Sequence, residues 1–171
     1  MIPVQEYPAR YQRYLDLVSE DSILEAYDHQ EAVRHAILSR LSPEQESFRY
    51  ARDKWTCREV VGHLIDVERI FSLRVMRFSR EDSKPRQDFD FDKTEYVVKG
   101  RYEVRSLQNL TSEFDHIRKS NIIFFGALDA EQMTKVGTAN NDNLSVRALL
   151  YIILGHERHH LNMIEKLYLS S

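Results

Sequence analysis

Three histidines occupy positions where a helical sequence pattern calls for apolar side chains. His156 and His160 are four residues apart in the segment LGHERHHLNM, so on a helix they lie on one face, one turn apart. His63 falls in the apolar stripe between Val60 and Val67. Three imidazoles that project into a helical bundle can bind a divalent metal and leave coordination positions open. We therefore predict that His63, His156 and His160 bind a metal ion. We expect zinc or nickel, although imidazole also suits copper and iron.

The same segment contains the H-E-x-x-H pattern of zinc proteases, formed by His156, Glu157 and His160. A protease of that kind needs a third ligand further along, and Glu165 is the sole carboxylate after His160. The sequence also predicts no strands for a substrate-binding sheet, so we disfavour a protease. Glu157 lies roughly 100° around the helix from His156 and is expected to flank the site or face solvent. His159 is expected at the rim, or as a weaker ligand.

A glycine precedes two of the three histidines, at Gly62 and Gly155. Glycine inside a helix costs about 0.5–1 kcal/mol relative to alanine, so its presence there needs a reason. We predict that these two positions permit close helix approach or leave room beside each imidazole.

Several other polar residues lie close to the predicted site in sequence. Asp66 follows His63 by one turn and could orient an imidazole or accept a proton, or else pair with Arg69. Arg74 interrupts an apolar stripe and needs an anionic partner if it is buried. Cys57 stands at a helix start, where its thiol could be activated, but we expect it to be inert and away from the metal.

Composition narrows the function classes. The 171 residues are 42% hydrophobic and 30% charged, which is typical of one soluble domain, with its core at about 22–169. The net charge is −3 without a dominant basic block, so we expect no nucleic-acid partner. The apolar runs are too short to cross a membrane. Met1 to Arg10 lacks a secretory signal core and Cys57 is the single cysteine, so we expect a cytoplasmic protein.

The elements that position these residues are predicted to be helices, because Gly and Pro are scarce and the periodic segments are long. We predict an all-α four-helix bundle with a long connection between its second and third helices. The main helices are predicted at about 22–41, from 56 onward, at 104–128 and at 145–168, with a weaker helix at 8–17. Ser22 with Glu25 and Thr56 with Glu59 form capping-box patterns.

Two segments are predicted to be irregular. Residues 83–100 form the long connection, and its aromatic residues Phe89, Phe91 and Tyr96 are expected to pack over the bundle end or cover the site. The segment VGTANNDN is predicted to be a turn.

The segments KWTCREVVGHLIDVERIFSLRVMRFSR and SVRALLYIILGHERHHLNMIEKLYL resemble the DinB-like superfamily of helical bundles. That superfamily includes the bacillithiol S-transferases and the metal-binding domain of mycothiol-dependent maleylpyruvate isomerase. The resemblance covers roughly residues 22–169 and implies that His63, His156 and His160 bind a divalent metal. The remaining positions that match the family pattern, with less defined roles, are Trp55, Thr56, Asp66 and Glu68.

The resemblance also implies an activity, the transfer of a low-molecular-weight thiol to a small electrophile. We therefore expect a metal-dependent thiol S-transferase with a small-molecule substrate. One alternative is a hydrolase that uses metal-bound hydroxide, and another is a non-catalytic, stress-associated metal-binding dimer. A homodimer is expected if one bundle face is partly apolar, with Tyr151 and Tyr168 as outward aromatic residues.

Overall fold

The computed structural model describes residues 2–82 and 91–170. In chain order the helices and strands are α1 (Gln12–Leu15), α2 (Ile23–Leu38), α3 (Pro43–Ser47), α4 (Cys57–Ser79), α5 (Thr94–Lys99), α6 (Leu107–Gly126), α7 (Ala130–Thr134), β1 (Val136–Ala139), β2 (Asp142–Ser145) and α8 (Val146–Leu167). Short 3₁₀ turns lie at Val4–Glu6, Ala9–Tyr11 and Tyr102–Val104. No helix in the described ranges is both long enough and apolar enough to span a membrane.

The four long helices, α2, α4, α6 and α8, form the bundle. Helix α4 packs against α6 and α8, and α2 packs against the same two helices, so α2 and α4 lie diagonally opposite each other. The short helix α1 packs along α8. The predicted all-α four-helix bundle is confirmed, and the long connection between α4 and α6 is where the sequence pattern predicted it.

Side-chain caps define where the long helices begin. Thr56 Oγ1 accepts the Glu59 amide while Glu59 Oε2 accepts the Thr56 amide at 2.7 Å, which completes the predicted capping box at the start of α4. Ser22 Oγ accepts the Glu25 amide at the start of α2. Helix α6 begins three residues later than predicted, because Ser106 caps it after the 3₁₀ turn.

The core fills the space between the four helices, and α8 is its most buried element. Leu149, Ile153 and Ile164 of the predicted stripe are buried. Tyr168 was predicted to face outward, and this prediction is wrong. Its side chain is 1% exposed and its hydroxyl donates to the Trp55 carbonyl at 2.7 Å. Tyr151 is half-buried, and the homodimer stays a prediction.

The prediction that the chain contains no strands is wrong, because β1 and β2 pair as an antiparallel hairpin. Asn140 and Asn141 join them with φ of 51° and 64°, the left-handed conformation that two-residue hairpin turns need. The turn prediction for this segment is therefore confirmed. The strands were missed because each has only four residues and lacks a regular apolar alternation.

The long connection is more regular than predicted. Residues 94–99 form α5, and the segment then turns through Tyr102–Val104 into α6. Phe91 is buried against Phe71 of α4, with ring centroids 5.9 Å apart, whereas Tyr96 is 38% exposed. Phe89 lies outside the described residues.

Candidate metal centre

The three predicted histidines meet inside the bundle, and we call this group the histidine triad. His63 comes from α4, and His156 and His160 come from adjacent turns of α8. The Nε2 atom of His156 lies 3.3 Å from Nε2 of His63 and 3.2 Å from Nε2 of His160. All three residues are buried, with exposures of 1%, 7% and 9% for His63, His156 and His160. The i, i+4 spacing on α8 and the apolar stripe of α4 therefore bring the side chains together as predicted.

The glycines before the histidines allow other chain segments to pack closely against the two helices. A Cβ atom at Gly155 would overlap the backbone carbonyl of Tyr14, and one at Gly62 would overlap the ring of Tyr102. The predicted close approach is confirmed, although the approaching groups are α1 and the α5–α6 connection rather than a second long helix. Gly155 thus lets α1 lie directly beside the triad.

Aromatic side chains form the walls of the triad. The ring of Trp55 lies 4.8 Å from the His63 ring and stacks on His160 at 6.4 Å between centroids. Tyr14 meets His156 edge to face at 5.2 Å. These contacts bury the imidazoles on two sides.

Burial keeps the triad neutral. It lowers the pKa of His63 to about 4, and a hydrogen bond with the Phe91 backbone offsets part of that effect. Burial is the main reason that the pKa values of His156 and His160 lie well below the ordinary value. A smaller reason is that a proton on either would be repelled by a proton on a neighbouring histidine and by the charge of Arg13. At neutral pH all three side chains are therefore neutral imidazoles, the form that binds metals.

The spacing of the nitrogens fits a divalent cation. Ligand nitrogens about 2.0–2.1 Å from a tetrahedral ion lie about 3.3 Å from one another. The observed separations of 3.2 and 3.3 Å match that value. Hydrogen bonds cannot satisfy the cluster, because Nε2 of a neutral imidazole either donates once or accepts once, yet His156 Nε2 faces two others. The triad could therefore bind a metal through its Nε2 atoms.

The predicted neighbours of the triad lie in different surroundings. Asp66 is half-buried and the Tyr102 hydroxyl lies within hydrogen-bonding reach of its carboxylate, while burial raises its pKa. Its catalytic role stays a prediction. His159 is half-buried at the rim, 5.6 Å from the Tyr14 ring, as expected. Cys57 is fully buried, which raises the pKa of its thiol to about 12, and its inertness stays a prediction that this burial favours.

The prediction that Glu157 flanks the site or faces solvent is wrong. Its side chain is 1% exposed and binds two arginines, Arg34 Nη1 at 2.6 Å and Arg118 Nη2 at 2.8 Å. Helix α8 packs against α1, α2 and α4, so a residue about 100° from the triad face still points into protein.

Glu157 is the centre of a buried ion-pair network, which consists of Arg34, Glu68, Asp115, Arg118 and Glu157. Arg118 binds both oxygens of Glu68 at 2.8–2.9 Å, and Arg34 binds Asp115 at 2.6 Å. Burial by itself lowers the pKa of Arg118, but the two carboxylates more than compensate and raise it. Glu68, which matches the family pattern, therefore has a structural partner.

Two cavities reach the triad from different sides. The polar cavity, of about 150 Å³, has His156 in its lining together with Arg10, Arg13, Tyr14, Asp92 and Asn140. The apolar cavity, of about 200 Å³, has His160 in its lining together with Tyr50, Trp55 and Met163. Each cavity thus gives access to a different triad histidine.

Sequence reasoning missed two residues of the polar cavity, Asp92 and Arg13. Asp92 Oδ1 lies 3.6 Å from His63 Nε2, which makes it a carboxylate at the edge of the triad. The acidic-aromatic run DFDFD was the available signal, but its spacing did not indicate which carboxylate approaches the site. Arg13 belongs to a segment whose position depends on the contact with Gly155, and no local pattern revealed it.

Arg74 is buried as its position in the stripe predicted. Its guanidinium lies over the rings of Phe71 and Phe91, at 4.8 and 5.6 Å. It therefore helps to attach residue 91 to α4.

Comparisons with known proteins agree on the fold. YfiT from Bacillus subtilis, described as a probable metal-dependent hydrolase with an unusual four-helix bundle topology, matches with a TM-score of 0.75 at 15% identity, over 98% of this chain and 91% of its own. A DinB-like protein from Bacillus subtilis, YjoA, matches with a TM-score of 0.60 at 16% identity, over 86% of this chain and 89% of its own. At these identities the likeness shows the fold alone. A search of curated proteins found no match.

A family model gives the assignment that the structures alone do not. The model described as the DinB superfamily matches residues 26–164, which include all four long helices for most of their length and the whole histidine triad. The chain therefore belongs to the DinB superfamily, as the two sequence segments predicted.

Proposed function

We propose that this protein is a metal-dependent transferase that joins a low-molecular-weight thiol to a small electrophile at the histidine triad. The observation that carries the proposal is the pair of cavities of unlike character that reach His156 and His160 from different sides. A transferase must hold two substrates at one centre, whereas a hydrolase needs room for one substrate and water.

The electrostatics of the triad favour an anionic nucleophile. A divalent cation held by three neutral imidazoles keeps its full charge and would stabilise a thiolate or lower the pKa of bound water. The nearby carboxylates Glu68 and Glu157 are paired with Arg118 and Arg34, which offset their effect on the potential at the triad. The protein itself offers no competing thiol, since Cys57 is its single cysteine and is buried.

The two cavities suit the two substrates differently. The apolar cavity, walled by Trp55 and Met163, provides an aromatic and aliphatic surface for the electrophile. The polar cavity supplies charged and hydrogen-bonding groups for the thiol. Trp55 stacks against His63 and His160 and forms a wall of the apolar cavity.

A second candidate function, hydrolysis, is favoured by one observation. Asp92 Oδ1 lies 3.6 Å from His63 Nε2 and its side chain is 72% exposed, so it can receive a proton at the triad and release it to solvent. Thiol transfer does not need this base, because a thiol that binds a metal loses its proton outright.

The test begins with protein purified without an affinity tag. Elemental analysis should find about one divalent metal per chain, and His63→Ala or His156→Ala should lose it. The metal-loaded protein is then assayed with thiols and a chromogenic electrophile, and separately with chromogenic esters and amides. Transfer that disappears in both histidine variants supports the proposal. Transfer that survives them contradicts it.

Asp92→Asn separates the two candidate functions. It should leave thiol transfer within about threefold of the unchanged protein but reduce hydrolysis about 10²-fold or more, as loss of a general base does. Stoichiometric metal with neither activity would instead indicate a non-catalytic metal-binding protein.

A further inference from the structure

Most arginine side chains in the described part of the chain have acidic partners, and one that has none lies in the polar cavity. Arg10 pairs with Asp142. Arg158 of α8 pairs with Glu20 and donates to the Leu17 carbonyl, which attaches the chain after α1 to α8. Arg13 lines the same cavity as Arg10 and donates to the Tyr14 hydroxyl at 2.7 Å. Within residues 2–82 and 91–170, no carboxylate lies at ion-pair distance from its guanidinium.

The position of Arg13 is well defined despite its exposure. The Tyr14 backbone packs closely against Gly155, the residue before His156. Helix α1 therefore cannot move toward α8 without a clash, or away from it without losing this contact. The guanidinium also lies 4.7 Å from the centre of the Tyr14 ring, and this ring in turn meets His156. Arg13 is thus held at the mouth of the cavity, one side chain away from the triad.

An unpaired cation at this place is electrostatically unfavourable when a metal is bound. A divalent cation at the triad would repel the charge of Arg13, because only the Tyr14 ring separates the guanidinium from His156. An anionic group placed between the two would remove the repulsion and use the free guanidinium donors.

We propose that Arg13 is a substrate-binding residue that recognises an anionic oxygen group, a carboxylate or a phosphate, on the molecule that binds in the polar cavity. Arg10 is already paired, Asn140 is neutral, and the carboxylate of Asp92 lies against His63, so Arg13 is the cation in the described cavity lining that no carboxylate pairs at ion-pair distance. If the proposed thiol transfer holds, on which this identification of the ligand rests, the molecule in the polar cavity is the thiol. The thiol substrate then carries a negative charge close to its sulfur.

The experiment compares two small thiols that differ in charge. Mercaptoacetate carries a carboxylate, and 2-mercaptoethanol has a neutral hydroxyl at nearly the same distance from sulfur. Their affinities are measured on the cobalt-loaded protein from the thiolate absorption band that appears when sulfur binds the metal. The unchanged protein should bind mercaptoacetate at least about tenfold more tightly, the effect of one charge-assisted contact.

Arg13→Gln should remove that preference and leave the affinity for 2-mercaptoethanol within about twofold. The matched control is Arg80→Gln, an exposed arginine directly after the end of α4, seventeen residues beyond His63 and roughly 25 Å along the helix direction. It should keep the preference in full. No preference in the unchanged protein, or a preference that persists in Arg13→Gln, overturns the proposal.

A separate measurement tests Arg13 if neither thiol binds the metal, which would overturn the thiol chemistry alone. Inorganic phosphate and glycolate are titrated into the zinc-loaded protein by calorimetry. Binding of either anion that weakens at least about tenfold in Arg13→Gln but not in Arg80→Gln supports the anion site. Equal binding by all three proteins, or no binding by any, overturns it.

Discussion

Two consecutive residues of α8 belong to two different buried polar clusters. His156 lies in the histidine triad, and Glu157 lies at the centre of the ion-pair network. In the network, opposite charges meet at 2.6–2.9 Å, and each side chain finds its partner within the chain. In the triad, Nε2 of His156 lies 3.2–3.3 Å from Nε2 of the other two histidines, and these like nitrogens cannot satisfy one another fully. Every charge in the network therefore faces an opposite charge, whereas the three histidines of the triad face only one another.

The difference shows how one bundle separates rigidity from function. The network links all four long helices, since Glu68 lies on α4, Arg34 on α2, Glu157 on α8, and Asp115 and Arg118 on α6. Its charges therefore hold α4 and α8 in the rotation at which their histidines face each other. The triad keeps unsatisfied nitrogens in that rigid frame, where a metal can use them.

The largest effect is expected from Glu157→Gln, which keeps the shape of the side chain but removes its charge. Arg34 and Arg118 would each lose one of two carboxylate partners while they remain buried. Breaking a buried pair costs about 3–5 kcal/mol, and because Asp115 and Glu68 remain we expect the lower end of that range, about 3 kcal/mol. The free energy of unfolding, measured in urea on the metal-free protein, should fall by about that amount.

Glu165→Gln is the matched control on the same helix. Its partner Arg40 is exposed, with a side-chain exposure of 58%, and such surface pairs contribute about 0–1 kcal/mol. If Glu157→Gln is no more destabilising than Glu165→Gln, the ion-pair network does not stabilise the bundle.

Next in size is the effect of metal on stability, which should depend on the triad alone. A ligand that binds only the folded state at a hundred times its dissociation constant stabilises by about 2.7 kcal/mol. Zinc at that ratio should therefore raise the free energy of unfolding of the unchanged protein and of Glu165→Gln by this amount. His156→Ala should show no rise. A rise that persists in His156→Ala would place the metal elsewhere.

The two clusters differ in how far sequence could predict them. The triad followed from spacing, because His156 and His160 are one turn apart and His63 interrupts a regular stripe. The network did not, since Arg34 is 123 residues from Glu157 and periodicity is a local signal. Helical periodicity gives the direction in which Glu157 points from α8. Whether that side of the helix meets solvent or another helix depends on how the bundle packs.

The same limit explains the remaining errors. Tyr168 occupies a position that a helical pattern leaves open to solvent, yet the segment before α4 covers it, and its hydroxyl donates to Trp55. Asp92 lies beside His63 because the α4–α6 connection folds back over the triad. Caps such as Thr56 were predicted correctly because both partners lie within one turn.

A smaller effect is expected where the backbone reaches the triad at Gly155. Gly155→Ala places a methyl group on the Tyr14 carbonyl, so α1 must move, and overpacking of this kind costs about 1–3 kcal/mol. Gly126→Ala is the control, because its added Cβ would meet Leu24 at an ordinary 3.7 Å and favours the helix. Urea unfolding should show a loss for the first variant and no loss for the second.

The smallest effect is expected from Asp66→Asn, which tests whether the triad has a carboxylate neighbour in addition to Asp92. The Asp66 carboxylate lies within reach of the Tyr102 hydroxyl, an interaction that asparagine can keep through its amide oxygen. Partners that orient a ligating histidine change metal affinity about 10–100-fold when they are removed. We expect a change below about threefold, measured by competition with a chelator. A loss of tenfold or more would show that Asp66 orients His63. Like the residues of the ion-pair network, His63 would then depend on a carboxylate partner within the chain, and the two clusters would differ less than their distances indicate.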